Sequence, residues 1–245
     1  YRATARLAAV NVTSGPGGTN AVTGVIGQWL DSIPCFYLSG QVKQQTTIAW
    51  CPELKLRQLG DQEINIVDIV RPVTKYAVMV RDPSQIRYHL ERALYVATHG
   101  RPGPSWLDLP LDVQAAMVDP GQLAAYDPSE DEVVFDVDRM REQVAQLLGR
   151  FRSAERPVLM AGHGIRLAGA TDLFMELVEA LNVPVVTAIC GHDLIWSDHP
   201  LFFGRPGICG DRVGNIVVQN SDLFLAIGAR LGIRQISYSY DAFAR

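Results

Sequence analysis

The sequence has 245 residues, of which 48% are apolar and 20% are charged, and its net charge is −4. This is enough apolar material for one large or two modest globular domains, and the negative charge argues against a general nucleic-acid-binding protein. No apolar run approaches the ~20 residues of a membrane-spanning helix, and the first residues do not resemble a signal peptide. These features predict a soluble, cytoplasmic protein.

Apolar runs and helical periodicities alternate along the chain. Seven short, mostly continuous apolar runs are typical of strands that helices bury on both faces. In chain order they are 7–12, 35–38, 75–80, 105–108, 158–161, 183–188 and 223–227. Five helices are predicted between them, at 21–30, 84–98, 137–152, 171–181 and 212–219. The alternation predicts an α/β protein with two consecutive doubly wound parallel sheets.

A change of composition separates the two sets of elements. Between residues 114 and 136 the chain carries Pro120, Gly121, Pro128 and an acidic run, without a sustained apolar period. This composition is typical of a linker. We therefore predict a first domain at 1–115, a linker at 116–135 and a second domain at 136–245, with Asp136 or Asp138 capping its first helix.

Cysteine and histidine patterns favour no metal site. The cysteines lack CxxC spacing, which favours buried free thiols over disulfides or zinc ligands: Cys35, Cys51, Cys190 and Cys209. Four residues near Pro200 could be drawn as a metal cluster, but their spacing fits no helix-face pair and favours solvated side chains: His192, Asp193, Asp198 and His199. His89 and His99 are predicted at the surface, near the ends of a helix.

Residues 13–20, TSGPGGTN, follow the first predicted strand and precede the first predicted helix. Glycines let backbone N–H groups approach a ligand closely, and a helix N-terminus favours negative charge. Taken alone, the segment favours an ordinary strand-to-helix turn. Residues 31–34, DSIP, and the strand that closes on SGQ at 39–41 follow it. Together these segments resemble the pyrimidine-binding domain of thiamine diphosphate (ThDP) enzymes of the acetolactate synthase type.

The resemblance continues in the same order along nearly the whole chain. In the first half it includes QE at 62–63, TK at 74–75, GRPGP at 100–104, and LDLP followed by DV at 107–113. In the second half it includes GHGI at 162–165, QNSD at 219–222 and GAR at 228–230. It implies a pyrimidine-binding domain followed by the Rossmann-like central domain of that family.

The resemblance also implies cofactors, substrates and partners. ThDP and Mg²⁺ would serve the decarboxylation of a 2-oxo acid such as pyruvate and the transfer of its two-carbon unit to a carbonyl acceptor, with FAD as a further cofactor. The protein would be a homodimer or homotetramer with active sites between subunits. The cofactor-binding positions that it implies are Gly15, Pro16, Gly17, Gly18, Gln41, Gln62, Arg101, Gly162, Gly164 and Arg230. Without the resemblance, the glutamines are ordinary loop amides and the arginines form surface ion pairs.

The family's activating glutamate would precede Tyr1, and its Mg²⁺- and diphosphate-binding segment would follow Arg245. We therefore expect a truncated chain, inactive alone, that contains neither the catalytic nor the metal-binding residues. At the substrate channel, Lys43 replaces a proline, Asp61 an aromatic residue and Leu111 a lysine, while Arg234 is retained. These departures leave open a related carboligase with a keto-sugar acceptor. The sequence is also compatible with a non-catalytic FAD- or nucleotide-binding module and with a dimerisation fragment.

Overall fold

The computed structural model describes Tyr1 and residues 4–244. They form two compact units, of which the first ends at Val134 and the second begins at Phe135. Most of the predicted linker, 116–135, thus belongs to the first unit. Each unit contains a parallel sheet, which confirms the predicted fold class of two consecutive α/β domains.

The first unit is built on a four-stranded parallel sheet with the order β1-β2-β4-β3. Its strands are β1 (Ala8–Val12), β2 (Cys35–Gln41), β3 (Tyr76–Met79) and β4 (Pro104–Pro110). The two central strands, β2 and β4, are buried along most of their lengths. At the edge of the sheet, three of the five residues of β1 are exposed, so the prediction of burial on both faces is wrong for this strand.

Helices cover both faces of this sheet: α1 (Pro16–Asp31), α2 (Ile66–Val70), α3 (Ile86–Thr98) and α4 (Leu111–Gln114). Tyr37 and Trp106 stack with their ring centroids 4.9 Å apart and pack with α1 and α2 on one face. Phe36 and Leu107, their immediate neighbours in the chain, pack with α3 on the other face. This alternation is the two-residue period of strands buried on both sides.

Part of the predicted linker is held against α3. The Tyr126 side chain is buried, and its backbone N–H donates to the Glu91 carboxylate at 2.9 Å. Arg92 donates two hydrogen bonds to Asp131, at 2.8 and 3.1 Å, and the Tyr126 hydroxyl donates to the same carboxylate. These bonds explain why a segment of linker composition belongs to the first unit.

The second unit contains a three-stranded parallel sheet with the order β6-β5-β7. Its strands are β5 (Pro157–Ala161), β6 (Val185–Thr187) and β7 (Leu223–Ile227). Its helices are α5 (Val137–Ser153), α6 (Gly164–Leu167), α7 (Thr171–Leu181), α8 (Arg212–Gln219) and α9 (Ile233–Ile236). The Asp136 carboxylate accepts the N–H of Arg139 at 3.0 Å, so Asp136 rather than Asp138 is the helix cap.

Two side-chain predictions are wrong. Cys190 and Cys209 are exposed, because Cys190 lies in the 3-10 turn Ile189–Gly191 and Cys209 in a loop, rather than in a buried strand. His89 is half-buried rather than on the surface, since the first turn of α3 packs on β3 and its ring shares a 2.7 Å hydrogen bond with the Tyr76 hydroxyl. Among the helices that the structure describes, none is both long and apolar enough to cross a membrane.

Candidate functional site

The glycine-rich segment 13–18, here called the coenzyme loop, and the predicted QE pair at 62–63 are in backbone contact. Gly15 has a φ of 59°, and a Cβ placed there would lie 2.1 Å from the carbonyl oxygen of Gln62. Gln62 itself has a φ of 56°. Only glycine adopts this backbone readily without a clash, so residue 15 must be glycine for the two segments to meet.

The start of α1 does not offer an open anion site. The N–H groups of Gly17, Gly18 and Thr19 donate to carbonyl groups of residues 13–15, at 3.0 to 3.4 Å. Pro16 has no N–H to offer. A Cβ on Gly18 would lie 3.1 Å from Ile66 of α2, so this glycine serves helix packing. The loop therefore suits a neutral ligand group rather than a phosphate.

Gln41, the last residue of β2, is buried and held by three hydrogen bonds. Its Nε2 donates to the Ile64 carbonyl and to Asp108 Oδ2, each at 3.0 Å, and its Oε1 accepts the N–H of Val42 at 3.0 Å. Both amide hydrogens are thus used, and the side chain has one acceptor position left. Gln41 is a rigid acceptor rather than a mobile loop amide.

Asp108 is the polar centre of this edge of the sheet, and sequence reasoning missed its importance. Its side chain is fully buried in β4, and it accepts a 2.6 Å hydrogen bond from Ser39 in addition to that from Gln41. Trp106 donates to the same Ser39 hydroxyl at 2.8 Å. Burial raises the pKa of Asp108 to about 6, although both hydrogen bonds lower it. One aspartate within a continuous apolar strand was the available signal.

The predicted channel residues of the first unit lie on connected segments. Lys43, Asp61 and Leu111 are all exposed. A Cβ on Gly60 would lie 2.7 Å from Val42 Cγ2, so the residue before Asp61 packs against the side chain of the residue before Lys43. In the same region the N–H of residue 44 donates to the carboxylate of residue 112 at 3.2 Å, which ties the Lys43 segment to the start of α4.

Arg101 contacts its own unit. Its Nε donates to the Ser32 hydroxyl at 2.7 Å, and Ser32, with a φ of 55°, ends α1. The bond joins the GRPGP segment to the DSIP segment of the motif. A role of Arg101 in FAD binding stays a prediction.

In the second unit, the predicted flavin glycines serve the packing of two loops. A Cβ on Gly162 would lie 2.3 Å from the Gly228 carbonyl oxygen, and one on Gly164 would lie 2.8 Å from Gly228 Cα. The N–H of Gly164 also donates to the Gly228 carbonyl at 2.9 Å. The following helix, α6, has only four residues. The GHG loop thus lacks the open cradle and long helix of a dinucleotide site.

The predicted arginines of this unit have different surroundings. Arg230 follows β7 and is exposed, as is Arg234 in α9, whose carbonyl accepts the N–H of Ile208 at 2.8 Å.

Two of the four residues considered as a metal cluster have partners elsewhere. Asp193 pairs with Arg166 at 2.8 Å and His199 with Glu179 at 2.9 Å. In the part of the chain that the structure describes, no three His, Cys, Asp or Glu residues are grouped to hold a metal ion.

Comparison with known families identifies the two units. The family described as "Thiamine pyrophosphate enzyme, N-terminal TPP binding domain" matches residues 1–68, and "Thiamine pyrophosphate enzyme, central domain" matches residues 144–245. The chain belongs to the thiamine pyrophosphate enzyme family. Its two units thus correspond to two successive domains of these enzymes, as the motifs implied.

Individual relatives narrow this family to acetolactate synthase-like enzymes. The chain is 34% identical over 241 residues to the acetolactate synthase large subunit of Lactococcus lactis, which covers 96% of the chain and 39% of that protein. It is 33% identical over 230 residues to a probable acetolactate synthase large subunit of Methanocaldococcus jannaschii, with 91% and 36% covered. A glyoxylate carboligase of Escherichia coli O157:H7 is 34% identical over 225 residues, with 91% and 35% covered. The chain spans less than half the length of these relatives.

The buried Asp108 predicts a pH dependence of stability. A carboxyl group whose pKa is higher in the folded state binds its proton more tightly there, so its contribution to stability is complete below pH 4 and is lost as the pH rises through about 6. Asp108→Asn removes this titration but offers only one acceptor oxygen to the two donors, Ser39 and Gln41, and the cost of the lost hydrogen bond does not depend on pH. We expect the variant to gain about 3 kcal/mol relative to the unsubstituted protein between pH 4 and pH 8.

Urea unfolding of both proteins across this pH range measures the difference. The control is Asp112→Asn, which makes the same chemical change at an exposed carboxylate four residues further along the chain. A stability difference for Asp108→Asn that is constant from pH 4 to pH 8 would contradict the prediction.

Proposed function

We propose that the protein containing this chain is a ThDP- and Mg²⁺-dependent carboligase. It would decarboxylate a 2-oxo acid such as pyruvate and transfer the two-carbon unit to a carbonyl acceptor, as an acetolactate synthase-like transferase. The observation that carries the proposal is the contact of Gly15 with Gln62 at the edge of the sheet where β2 ends on Gln41. Three motif segments that are distant in the sequence thus meet at the carboxyl ends of parallel strands, where α/β proteins bind ligands.

The residues at this edge fit the pyrimidine side of ThDP. They offer neutral hydrogen-bonding groups, namely the remaining acceptor position of Gln41 and the exposed Gln62 side chain. The N–H groups at the start of α1 already donate to backbone carbonyl groups, so they are not available to bind the diphosphate. When bound, ThDP supplies the group that accepts the electron pair released on decarboxylation.

The chain's own contribution would be to orient ligands. Asp108 and the Ile64 carbonyl fix the Gln41 amide, so this acceptor is in place before a ligand arrives. Preorganised groups of this kind avoid a reorganisation cost during the reaction. Mg²⁺ and the proton-transferring glutamate would be held by segments outside this chain.

We also propose that the protein is a cytoplasmic homodimer or homotetramer with active sites between subunits. Exposed apolar side chains on α1, the helix that follows the glycine-rich loop, support an assembly of this kind: Ile26, Trp29 and Leu30. Contiguous exposed apolar surface on a globular protein commonly marks an interaction site.

Three residues at the predicted substrate channel differ from those of the usual synthases, and these differences bear on the choice of acceptor. A carboxylate at Asp61 repels an anionic 2-oxo acid acceptor and can accept hydrogen bonds from a hydroxylated one. Lys43 supplies a cation on the adjoining segment, while Leu111 offers none. We therefore propose a preference for a neutral or hydroxylated carbonyl acceptor, such as a keto-sugar, over a second pyruvate.

Substitution of the channel residues tests this preference in the full-length enzyme. Asp61→Phe combined with Leu111→Lys should shift the products toward acetolactate by about 10- to 100-fold, because the unfavourable charge is removed and a cation is restored. The measurement is product analysis after reaction with a mixture of pyruvate and a hydroxylated aldehyde or ketone, which gives the ratio of acetolactate to the product of the other acceptor.

The matched control is Asp61→Phe with Leu54→Lys, which adds the lysine at another exposed leucine of the same region. In the control, the logarithm of the ratio of acetolactate to the other condensation product should change by less than half as much as in the test variant. Efficient acetolactate formation by the unsubstituted enzyme would overturn the acceptor proposal and support an ordinary acetolactate synthase.

We propose FAD as a further, structural cofactor, held at the second unit by Arg230. The glycines of the GHG loop do not offer an open cradle, since the backbone of Gly228 fills the space beside them. An exposed arginine near the end of β7 suits a phosphate group, because its guanidinium donates two parallel hydrogen bonds. Flavin binding would then depend on an arginine more than on the glycines.

Denaturation of the purified full-length protein should release flavin, which its fluorescence detects without an activity assay. Arg230→Met should lower the bound flavin at least about fivefold, as expected for the loss of a charge-assisted hydrogen bond of ~1–3 kcal/mol. Arg212→Met, an exposed arginine at the start of α8, is the control and should retain it. If neither the unsubstituted protein nor the Arg212→Met control releases flavin, FAD is not a cofactor of this protein.

A further inference from the structure

Glu63 is a buried carboxylate that follows the Gln62 turn and joins two distant parts of one loop. Its Oε1 accepts the N–H of Ile48 at 2.6 Å, and its Oε2 accepts those of Leu59 and Gly60 at 2.9 and 3.3 Å. Only 7% of the residue is exposed. We call residues 43–61, which contain all three donors, the channel loop.

Near its start the channel loop is also held by Gln44, which donates to Asp112 and to the Arg81 carbonyl, but the rest of the loop has weaker support. Its regular structure consists of three turns of three residues each, at Gln44–Thr46, Ile48–Trp50 and Pro52–Leu54. Its larger apolar side chains are exposed, including Trp50 at 60% and Leu54 at 58%. A segment with few buried apolar contacts opens at a low free-energy cost, so the carboxylate has a large effect on its order.

The loop also closes at a second point. A Cβ on Gly60 would lie 2.7 Å from Val42 Cγ2 and 2.8 Å from the Thr46 carbonyl oxygen. The two ends of the loop thus meet at Gly60, and Glu63 binds the N–H of the same residue. Lys43 and Asp61 lie at these two ends.

We propose that Glu63 is a positioning residue that holds the channel loop closed and thereby places Lys43 and Asp61 beside the coenzyme loop. The connection to the coenzyme loop is direct, since Gln62, its neighbour, contacts Gly15. The consequence for the acceptor rests on the proposed carboligase function. The closing of the loop itself does not.

The chemistry of the group explains why a carboxylate suits this position. The two oxygens of a carboxylate offer about four acceptor sites, so they can accept three N–H groups from two separate parts of the channel loop. Hydrogen bonds to a charged acceptor are also stronger than those between neutral groups. Glutamine has one acceptor oxygen and would turn its NH₂ group toward backbone donors. Aspartate is one methylene shorter and cannot reach both sides of the loop at the same backbone position.

The loop's order can be measured without activity. Trypsin can cleave after Lys55 and Arg57, which lie within the channel loop and are exposed. In the full-length protein, Glu63→Gln should increase the cleavage rate at these two sites by about tenfold or more, because local opening limits proteolysis. Glu53→Gln, the same chemical change at an exposed position of the same loop, should cleave at the unsubstituted rate.

The acceptor dependence provides the second measurement. Glu63→Gln should raise the KM for the carbonyl acceptor about five- to tenfold and leave the decarboxylation of the donor within about twofold, since the loop contacts the acceptor side. Gly60→Ala, which forces the ends of the loop apart with Glu63 intact, should produce the same pair of changes.

Each outcome decides one part of the proposal. Unchanged cleavage in folded Glu63→Gln overturns the closing role, and an open loop with an unchanged acceptor KM overturns the acceptor role. If the variants do not fold, hydrogen exchange of the unsubstituted protein decides, because the N–H groups of Ile48, Leu59 and Gly60 should be protected above their neighbours. An unsubstituted protein without carboligase activity would refute the proposed function while cleavage still tests the loop.

Discussion

The close approach of Gly15 to the Gln62 carbonyl is the contact on which the candidate site depends. It lets the turn before α1 pack against the turn that precedes α2, with less than the space of one methyl group between them. Both residues have a positive φ, a backbone conformation that costs ~1 kcal/mol or more for a residue other than glycine. Structure of this kind persists only where the surroundings hold it.

Two buried carboxylates provide much of this support. Asp108 fixes the end of β2 through Ser39 and Gln41, and Glu63 fixes the channel loop through three backbone N–H groups. Among the described residues, neither carboxylate forms an ion pair with a lysine or arginine. Their charge is compensated by hydrogen bonds alone. A charge compensated in this way is costly to bury, and the loss of any one donor leaves it under-stabilised. Positioning at this edge of the sheet is therefore achieved at some expense of stability.

The sequence predicted the order and type of the main elements well, because buried parallel strands and amphipathic helices have strong periodic signals. Helices α7 and α8 match their predicted limits, while α1 begins at Pro16, five residues before the predicted start. What the sequence could not show was which polar groups meet. The pairing of Gln41 with Asp108, and of Glu63 with the channel loop, depends on strand register and on turns that no short pattern encodes. The glycines of the GHG loop were predicted as ligand contacts, yet the same small residues were needed for two loops to pack.

The ThDP affinity of a full-length Gly15→Ala variant shows whether the contact between residue 15 and Gln62 forms the coenzyme site. A Cβ at this position meets the Gln62 carbonyl and a positive φ, so the two motif segments should separate and the affinity should fall about tenfold or more. Gly27→Ala is the matched control, because a Cβ there meets no atom within 4 Å and the residue lies within α1. The control should bind ThDP as the unsubstituted protein does and gain ~0.5–1 kcal/mol in stability. Equal ThDP affinity of folded Gly15→Ala and the unsubstituted protein would show that this contact is not needed for ThDP binding.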